Sequence, residues 1–365
     1  MTAEQLISFA RCAPSLDIID IEGLKAAAVR ALDLDPVGAT AYGTSVGYPP
    51  LRKWVADRHG VGVDHVLLTN GSLQADAFLF DAVCKAGDDV VVERPTYDRT
   101  LASLVERGCR VHPITVDADG IDVDELRTLL ESGVRPTLAH IIPNYQNPAG
   151  VTLSLAKRQA LLALAAEYGF TIFEDDPYVD IRFRGEQLPT LLSLADAAGA
   201  TVVRACSFTK TVCPGVRVGY LVGPPALLTS IATTATNLYI SPGMFAQAVV
   251  YQFCAVGDFD KSVATVSAAL SERATLLGEQ LTAQIPSASF TAPDGGYFLW
   301  VDLGDVDGDA VAEAAAKLGV AVIKGSEFAP SGSRHALRLA YSAVGVDQIP
   351  EGVRRLAEAV EAVRG

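Results

Sequence analysis

The chain has 365 residues, half of them hydrophobic and a fifth charged, and a formal net charge of −14. That length accommodates one large and one smaller domain with a full core, and the composition is globular rather than disordered. The acidic balance argues against nucleic acid or an anionic membrane as a partner, so any anionic ligand must be held by a few local cations and backbone dipoles.

Mean hydropathy is +0.27, yet the apolar runs are short and interrupted by charge, far from the roughly 20 residues that span a bilayer. Residues 1–9 carry Glu4 and no basic region, so no signal peptide is expected. The six cysteines are scattered without a C-x-x-C pair, which favours reduced thiols in a cytoplasmic protein. The five histidines do not cluster, so no metal site is expected.

From about residue 63, short apolar runs alternate with amphipathic stretches. Val66–Leu68 precedes a helical pattern over Ser72–Lys85, closed by Gly87. Val90–Val92, Val111–Val116, Leu138–Ile142 and Phe170–Phe173 follow, separated by helical patterns at 99–107, 123–131 and 154–168. Val202–Val203 and Val218–Val222 close the series. Apolar runs without alternation read as strands buried on both faces, and helices between them imply parallel crossovers. The prediction is an α/β fold: a large, mostly parallel, three-layer domain. Beyond residue 244 two long helical patterns (244–256, 260–284) precede Tyr297–Val301, Val320–Ile323, Ala336–Ala340 and a helix from Asp347. That texture predicts a smaller α+β domain with antiparallel strands. The expected division is an N-terminal arm and small-domain segment over 1–40, a large domain over 41–243 and a small domain over 244–365.

Ligands of such sheets sit beyond the carboxyl ends of the strands. There stand Thr69-Asn70-Gly71-Ser72-Leu73, whose Gly and helix N-terminus can form an anion site, although a plain Ser cap fits as well. Glu174-Asp175-Asp176-Pro177-Tyr178 places carboxylates after an apolar run, where burial demands a cationic partner. Ser207-Phe208-Thr209-Lys210 and Pro214-Gly215-Val216-Arg217 supply an amine and further cationic contacts; burial lowers a lysine pKa and frees the amine for imine formation. Asn147-Pro148-Ala149-Gly150 reads by itself as a turn, and Tyr97 offers a ring face for stacking.

Gly71-Ser72, Tyr97, Asn147-Pro148-x-Gly150, Asp175-x-x-Tyr178, Ser207-x-x-Lys210, Arg217 and Leu337-Arg338-Leu339 occur in an order that resembles fold-type I pyridoxal 5′-phosphate (PLP) enzymes. In particular, nearly the whole chain is similar to class I/II aminotransferases of the 2-aminoadipate/kynurenine type. The resemblance implies a PLP-dependent aminotransferase that moves an amino group between an L-amino acid and a 2-oxo acid. It implies that Lys210 binds the cofactor as an imine and shuttles the substrate proton, and that Asp175 keeps the pyridine nitrogen protonated. Asn147 and Tyr178 would bond the ring hydroxyl, with Tyr178 tuning the imine, and Tyr97 would stack on the ring. Ser72, the backbone of Leu73 beside Gly71, Ser207 and Arg217 would hold the phosphate. Arg338 would clamp the substrate carboxylate, a bidentate task suited to guanidinium. Tyr42 would reach the cofactor of a second copy, implying a homodimer with shared sites.

Two substitutions depart from the family near the substrate: Cys12 where Gly is usual, and Lys324 in place of Pro. Lys324 is expected to face the site and favour an acidic side chain, against a lysine directed to solvent. Leu73 replaces a frequent polar residue in the phosphate loop. Gly43-Thr44-Ser45-Val46-Gly47 matches G-x-S-x-G, but no strand leads into it and Tyr48-Pro49-Pro50 follows, so a nucleophile elbow is not expected. A PLP-dependent lyase, decarboxylase, oxidase or cyclising enzyme would share the same Lys-Asp-Arg set. The effector domain of a PLP-binding transcription regulator is disfavoured by the short segment before Tyr42.

Overall fold

The computed structural model describes residues 6–329 and 332–365. Its strands, in chain order, are β1 (Ile7–Ser8), β2 (Val66–Thr69), β3 (Asp89–Arg94), β4 (Arg110–Asp117), β5 (Gly120–Ile121), β6 (Pro136–Ile141), β7 (Thr171–Asp175), β8 (Thr201–Ser207) and β9 (Gly219–Val222). Beyond them come β10 (Phe298–Asp302), β11 (Val320–Ala321), β12 (Ile323–Lys324) and β13 (Ala336–Ala340).

Eight strands form the large sheet in the order β2-β9-β8-β7-β6-β3-β4-β5. The five central strands from β8 to β4 run parallel, and the flanking pairings are antiparallel. Every apolar run from Val66 to Val222 becomes a strand of this sheet, as two-sided burial requires. Helices Ser72–Val83, Val123–Glu131 and Leu155–Tyr168 cover it, the last two opened by Asp122 and Ser154, whose side chains accept first-turn N–H groups. Gly169, left-handed at φ 76°, ends the helix Leu155–Tyr168 and turns the chain into β7.

Three helices that the sequence pattern did not resolve, Ile21–Leu34, Pro36–Thr40 and Pro49–His59, pack with Met244–Ala255 on one flank. Their buried residues form one apolar cluster with β2, β9 and Phe259. A separate cluster joins Ile7, Phe9 and Ile18 to the antiparallel sheet β10-β13-β12 and to helices Asp258–Gln284 and Ile349–Arg364. The run Val320–Ile323 divides: β11 pairs with β1, whereas β12 pairs with β13. Among the described residues, no helix is long and apolar enough to cross a membrane.

Candidate active site

A cavity of about 380 Å³ opens beyond the carboxyl ends of the parallel strands. Its wall is assembled from both sheets and the N-terminal arm. Ser72 and Leu73 come from the helix after β2, Asn147 from the loop after β6, Asp175 from β7, Lys210 from the turn after β8 and Arg338 from β13. Residues distant in sequence converge because parallel strands all end on the same edge.

Glu174, Asp175 and Asp176 lie side by side, yet they meet different surroundings. Glu174 accepts the backbone N–H groups of Leu191 (2.9 Å) and Leu192 (3.0 Å) at a helix N-terminus. Asp176 accepts from Arg204 (2.7 Å) and Asn144 (2.9 Å), and Asn144 is in turn held by the fully buried Arg158 at 2.7 Å. Asp175, only 5% exposed, lines the cavity, and among the described residues it has no Lys or Arg partner and its Oδ1 has no hydrogen-bond partner. A buried carboxylate of this kind calls for a cation from a ligand.

Lys210 is half-buried at the cavity wall. Its Nζ donates to the carbonyl of Cys12 (2.7 Å) and stands over the rings of Tyr178 and Tyr297 at 5.5 and 5.2 Å. Removal from water, aided by the positive charges of Arg338 and Arg217, lowers its pKa to about 8, against the smaller raising effects of Cys12 and Asp175. At pH 7 roughly one molecule in ten then carries the free amine, compared with roughly one in 3,000 for an ordinary lysine.

Arg338 is 4% exposed and sandwiched between the rings of Phe298 (4.6 Å) and Phe328 (4.7 Å). Its guanidinium donates to Asn147 Oδ1 (3.1 Å), to the Ala10 carbonyl (3.3 Å) and to Cys12 Sγ (2.9 Å), while its Nε has no partner among the described residues. Cys12 thus touches two cations of the cavity, Lys210 through its carbonyl and Arg338 through its sulfur. Tyr97 and Tyr178 line the cavity too, and burial raises both phenols above their ordinary pKa.

Next to Ser72 and Leu73 of the cavity wall lie Gly71, Ser207, Arg217 and Gly219, which do not themselves line the cavity. Gly71 caps the helix Ser72–Val83 at φ 85°, and a side chain there would meet the guanidinium of Arg217. A Cβ on Gly219 would lie 2.7 Å from the backbone of Gly71 and Ser72. The first-turn N–H groups, Arg217 and Ser207 at the end of β8 therefore converge on one place. The unpartnered Asp175 Oδ1, the Lys210 amine and this cradle fit a cationic ring that bears a carbonyl group and a phosphate.

Lys324 departs from expectation. In β12 alternate residues face opposite ways: Ile323 lines the cavity, and Lys324 binds Glu313 at 2.7 Å on the other side. Tyr42 is 87% exposed and lies outside this cavity. Sequence reading missed Asp76, Glu93 and His140. Asp76 lines the cavity one turn after Ser72, a spacing that pattern reading could have used. Burial and the Asp175 charge push its carboxyl well above the usual range. Glu93, pushed up to about 8 by burial, accepts from Ile142 N–H and Gln146 Nε2, both at 3.0 Å.

A family model described as aminotransferase class I and II matches residues 18–356. The aromatic-amino-acid aminotransferase 1 of Thermococcus litoralis is 29% identical over 98% of this chain and 88% of its own. The 2-aminoadipate transaminase of Thermus thermophilus is 31% identical, over 98% and 90%. The solved α-aminoadipate aminotransferase of Thermus thermophilus, complexed with N-(5′-phosphopyridoxyl)-L-leucine, superposes with a TM-score of 0.93 at 30% identity, covering 98% of this chain and 93% of that one.

Proposed function

We propose, from the premise that this chain belongs to the class I and II aminotransferases, how its own residues carry out that reaction and where it operates. The protein is a PLP-dependent aminotransferase that moves an amino group between an amino acid and a 2-oxo acid. When bound, PLP supplies an aldehyde that takes up amines and a cationic ring that accepts the electron pair left when a proton departs from the substrate Cα.

Lys210 would hold the cofactor through its amine and, once that amine is free, would be the base that moves the proton of the substrate Cα. Its lowered pKa keeps a usable fraction of free amine near neutral pH. Asp175 would pair with the cationic ring nitrogen; the observation that carries this reading is its carboxylate oxygen Oδ1, buried at the cavity with no partner among the described residues. A charge pair near 4 Å at an effective dielectric of 20 has a gross Coulomb term of about 4 kcal/mol, so even half of it changes proton removal more than tenfold. Tyr97 stacks on the ring, and Asn147 and Tyr178 bind its hydroxyl. Ser72, Leu73 N–H, Ser207 and Arg217 hold the phosphate. Arg338, fixed between two phenyl rings, binds the α-carboxylate, and Cys12 shapes that lobe.

A homodimer with shared sites is part of the proposal. Tyr42 and the apolar Leu16, Leu34, Val37 and Leu238 are exposed in one chain, a surface that a second copy would cover. Two bodies are proposed, and the common core of Met244–Ala255 with Ile21–Leu34 supports a seam at the start of the helix Asp258–Gln284 rather than at 244. A cytoplasmic location fits six unpaired thiols.

The test is a single turnover. Cofactor-loaded protein mixed with 2-aminoadipate, kynurenine or aromatic amino acids, the substrates in the relatives' names, should yield one oxo acid and one pyridoxamine phosphate per site. Release of carbon dioxide or ammonia without pyridoxamine phosphate would contradict it.

A further inference from the structure

Two buried carboxyl groups line the cavity, Asp175 and Asp76, and the reaction above assigns a part to the first alone. Asp76 stands one turn after Ser72 on the helix Ser72–Val83 and is 3% exposed. Its Oδ1 has no hydrogen-bond partner among the described residues, and the one group that favours its charge is its own backbone N–H. A carboxylate taken out of water with neither a cation nor a set of donors is costly, and a second carboxyl on the same cavity adds repulsion. Such a group keeps its proton.

The surrounding elements offer Asp76 no counter-charge. Of the cations that line the cavity, Lys210 is engaged by the Cys12 carbonyl, Arg338 by Asn147, Ala10 and Cys12, and the exposed Arg99 by Asp98 at 3.3 Å. Arg217 lies one turn back, beside Gly71. Burial holds Tyr97 and Tyr178 toward neutral phenols, and Glu327 is exposed. Glu93 on β3 and His140 on β6 are buried and do not line the cavity. Asp76 is thus a cavity-facing acid whose charge the chain leaves unmet, and the rise of its carboxyl through burial and the Asp175 charge agrees.

We propose that Asp76 is a second carboxyl of the cofactor site: a neutral acid while no cation occupies the cavity, it ionises when the cationic ring docks, so that cofactor binding draws a proton from the chain. This rests on the reading of Asp175 as the partner of the cofactor ring nitrogen. The carboxyl O–H bond breaks, and its proton goes to the ring nitrogen where that arrives unprotonated and otherwise to solvent; no other bond changes. The ring cation supplies the counter-charge that the chain withholds. The empty site is spared a second bare charge, and the loaded site gains one where the ring needs it. Because a proton leaves Asp76, binding tightens as pH rises from the ionisation of the loaded form to that of the empty form. A chain with an amide at position 76 lacks that contribution.

The test is calorimetric titration of the cofactor-free protein with PLP, in buffers of different ionisation enthalpy at pH 7, for the parent and Asp76→Asn. Ionisation of the phosphate and of the imine is common to both and cancels in the difference. The parent should release about one proton per chain more than the variant. Between pH 6 and 8 its PLP affinity should gain on the variant's by about tenfold per unit. The infrared difference spectrum of the parent should lose the carbonyl stretch of one protonated carboxyl on loading with PLP; this decides the matter if the Asn variant does not fold. Equal proton counts with parallel affinity profiles, or an undiminished carboxyl band, would overturn the proposal and leave Asp76 a permanently neutral part of the helix. Asp175→Asn serves as the reference: if it binds PLP as the parent does, the pairing of Asp175 with the ring fails. If it weakens PLP binding while Asp76→Asn matches the parent, the role of Asp76 alone is lost.

Discussion

Two neighbouring places at the end of β7 hold buried carboxylates under opposite regimes. Behind the sheet edge, Asp176 and Glu174 are met by Arg204, Asn144 and a helix N-terminus. Asp176 Oδ1 is also unpartnered, but its charge is answered within the chain by the Arg204 guanidinium. One residue away, at the cavity, Asp175 has neither an Arg nor a Lys partner among the described residues, only the ring of His140 at 3.3 Å. Charge answered inside the chain marks architecture, and charge left unanswered at a cavity marks the place of a ligand. Acidity alone does not separate the two, since all three residues are acidic and buried.

The largest expected effects come from exchanging the two regimes. Asp176→Ala removes the 2.7 Å partner of the buried Arg204 and leaves it only Glu174 at 3.9 Å, which should cost about 3–5 kcal/mol of stability, read from denaturant unfolding. Asp175→Ala should leave the unfolding midpoint nearly unchanged and lower turnover by about 100- to 1,000-fold, the range of a partly desolvated charge pair. Reversed outcomes would break the comparison. Arg338 sharpens it next, because it also lines the cavity and keeps an Nε–H without a partner among the described residues. Arg338→Ala should raise KM for amino acid and oxo acid by about 100-fold, and Lys should restore only part of that, lacking the planar fork. Equal losses for a substrate with and without an α-carboxylate would remove the clamp from the account.

A smaller effect follows from Lys210. The rate of cofactor capture should climb about tenfold per pH unit below 8 and level off just above it, since only the free amine reacts. A plateau reached only near pH 10.5 would show that burial does not tune the amine. Smallest is Glu93. A carboxyl whose folded pKa is raised to about 8 from 4.5 keeps its proton while the unfolded chain loses it, so folding weakens as pH rises from 4.5 to 8. Glu93→Gln should therefore match the parent at pH 5 and exceed it at pH 9 by about 1 kcal/mol or more. An equal difference at both values would refute that linkage.

The central strands of the large sheet were legible because two-sided burial writes itself as unbroken apolar runs such as Val66–Leu68 and Val90–Val92, whereas the partly exposed β4 interrupts its run with His112, Pro113 and Thr115. The helices before residue 60 were not, since Ile21–Leu34 leaves Ile21, Val29, Leu32 and Leu34 exposed and its apolar pattern does not mark one buried face. In the site, Asp175, Lys210 and Arg338 stand beyond or within recognisable strands and carried a family order. His140 and Glu93 sit inside apolar runs, where a lone polar residue gives no sign of its partner until the neighbouring strand is placed. Lys324 misled because a two-residue strand reverses facing with each step, and one position of register separates the cavity from Glu313.

The account rests on the amine of Lys210 being the group that captures the cofactor. Protein loaded with PLP, reduced with borohydride and digested should carry one phosphopyridoxyl group per chain, on the peptide containing Lys210 by mass spectrometry. A label on another lysine, or none, would contradict it.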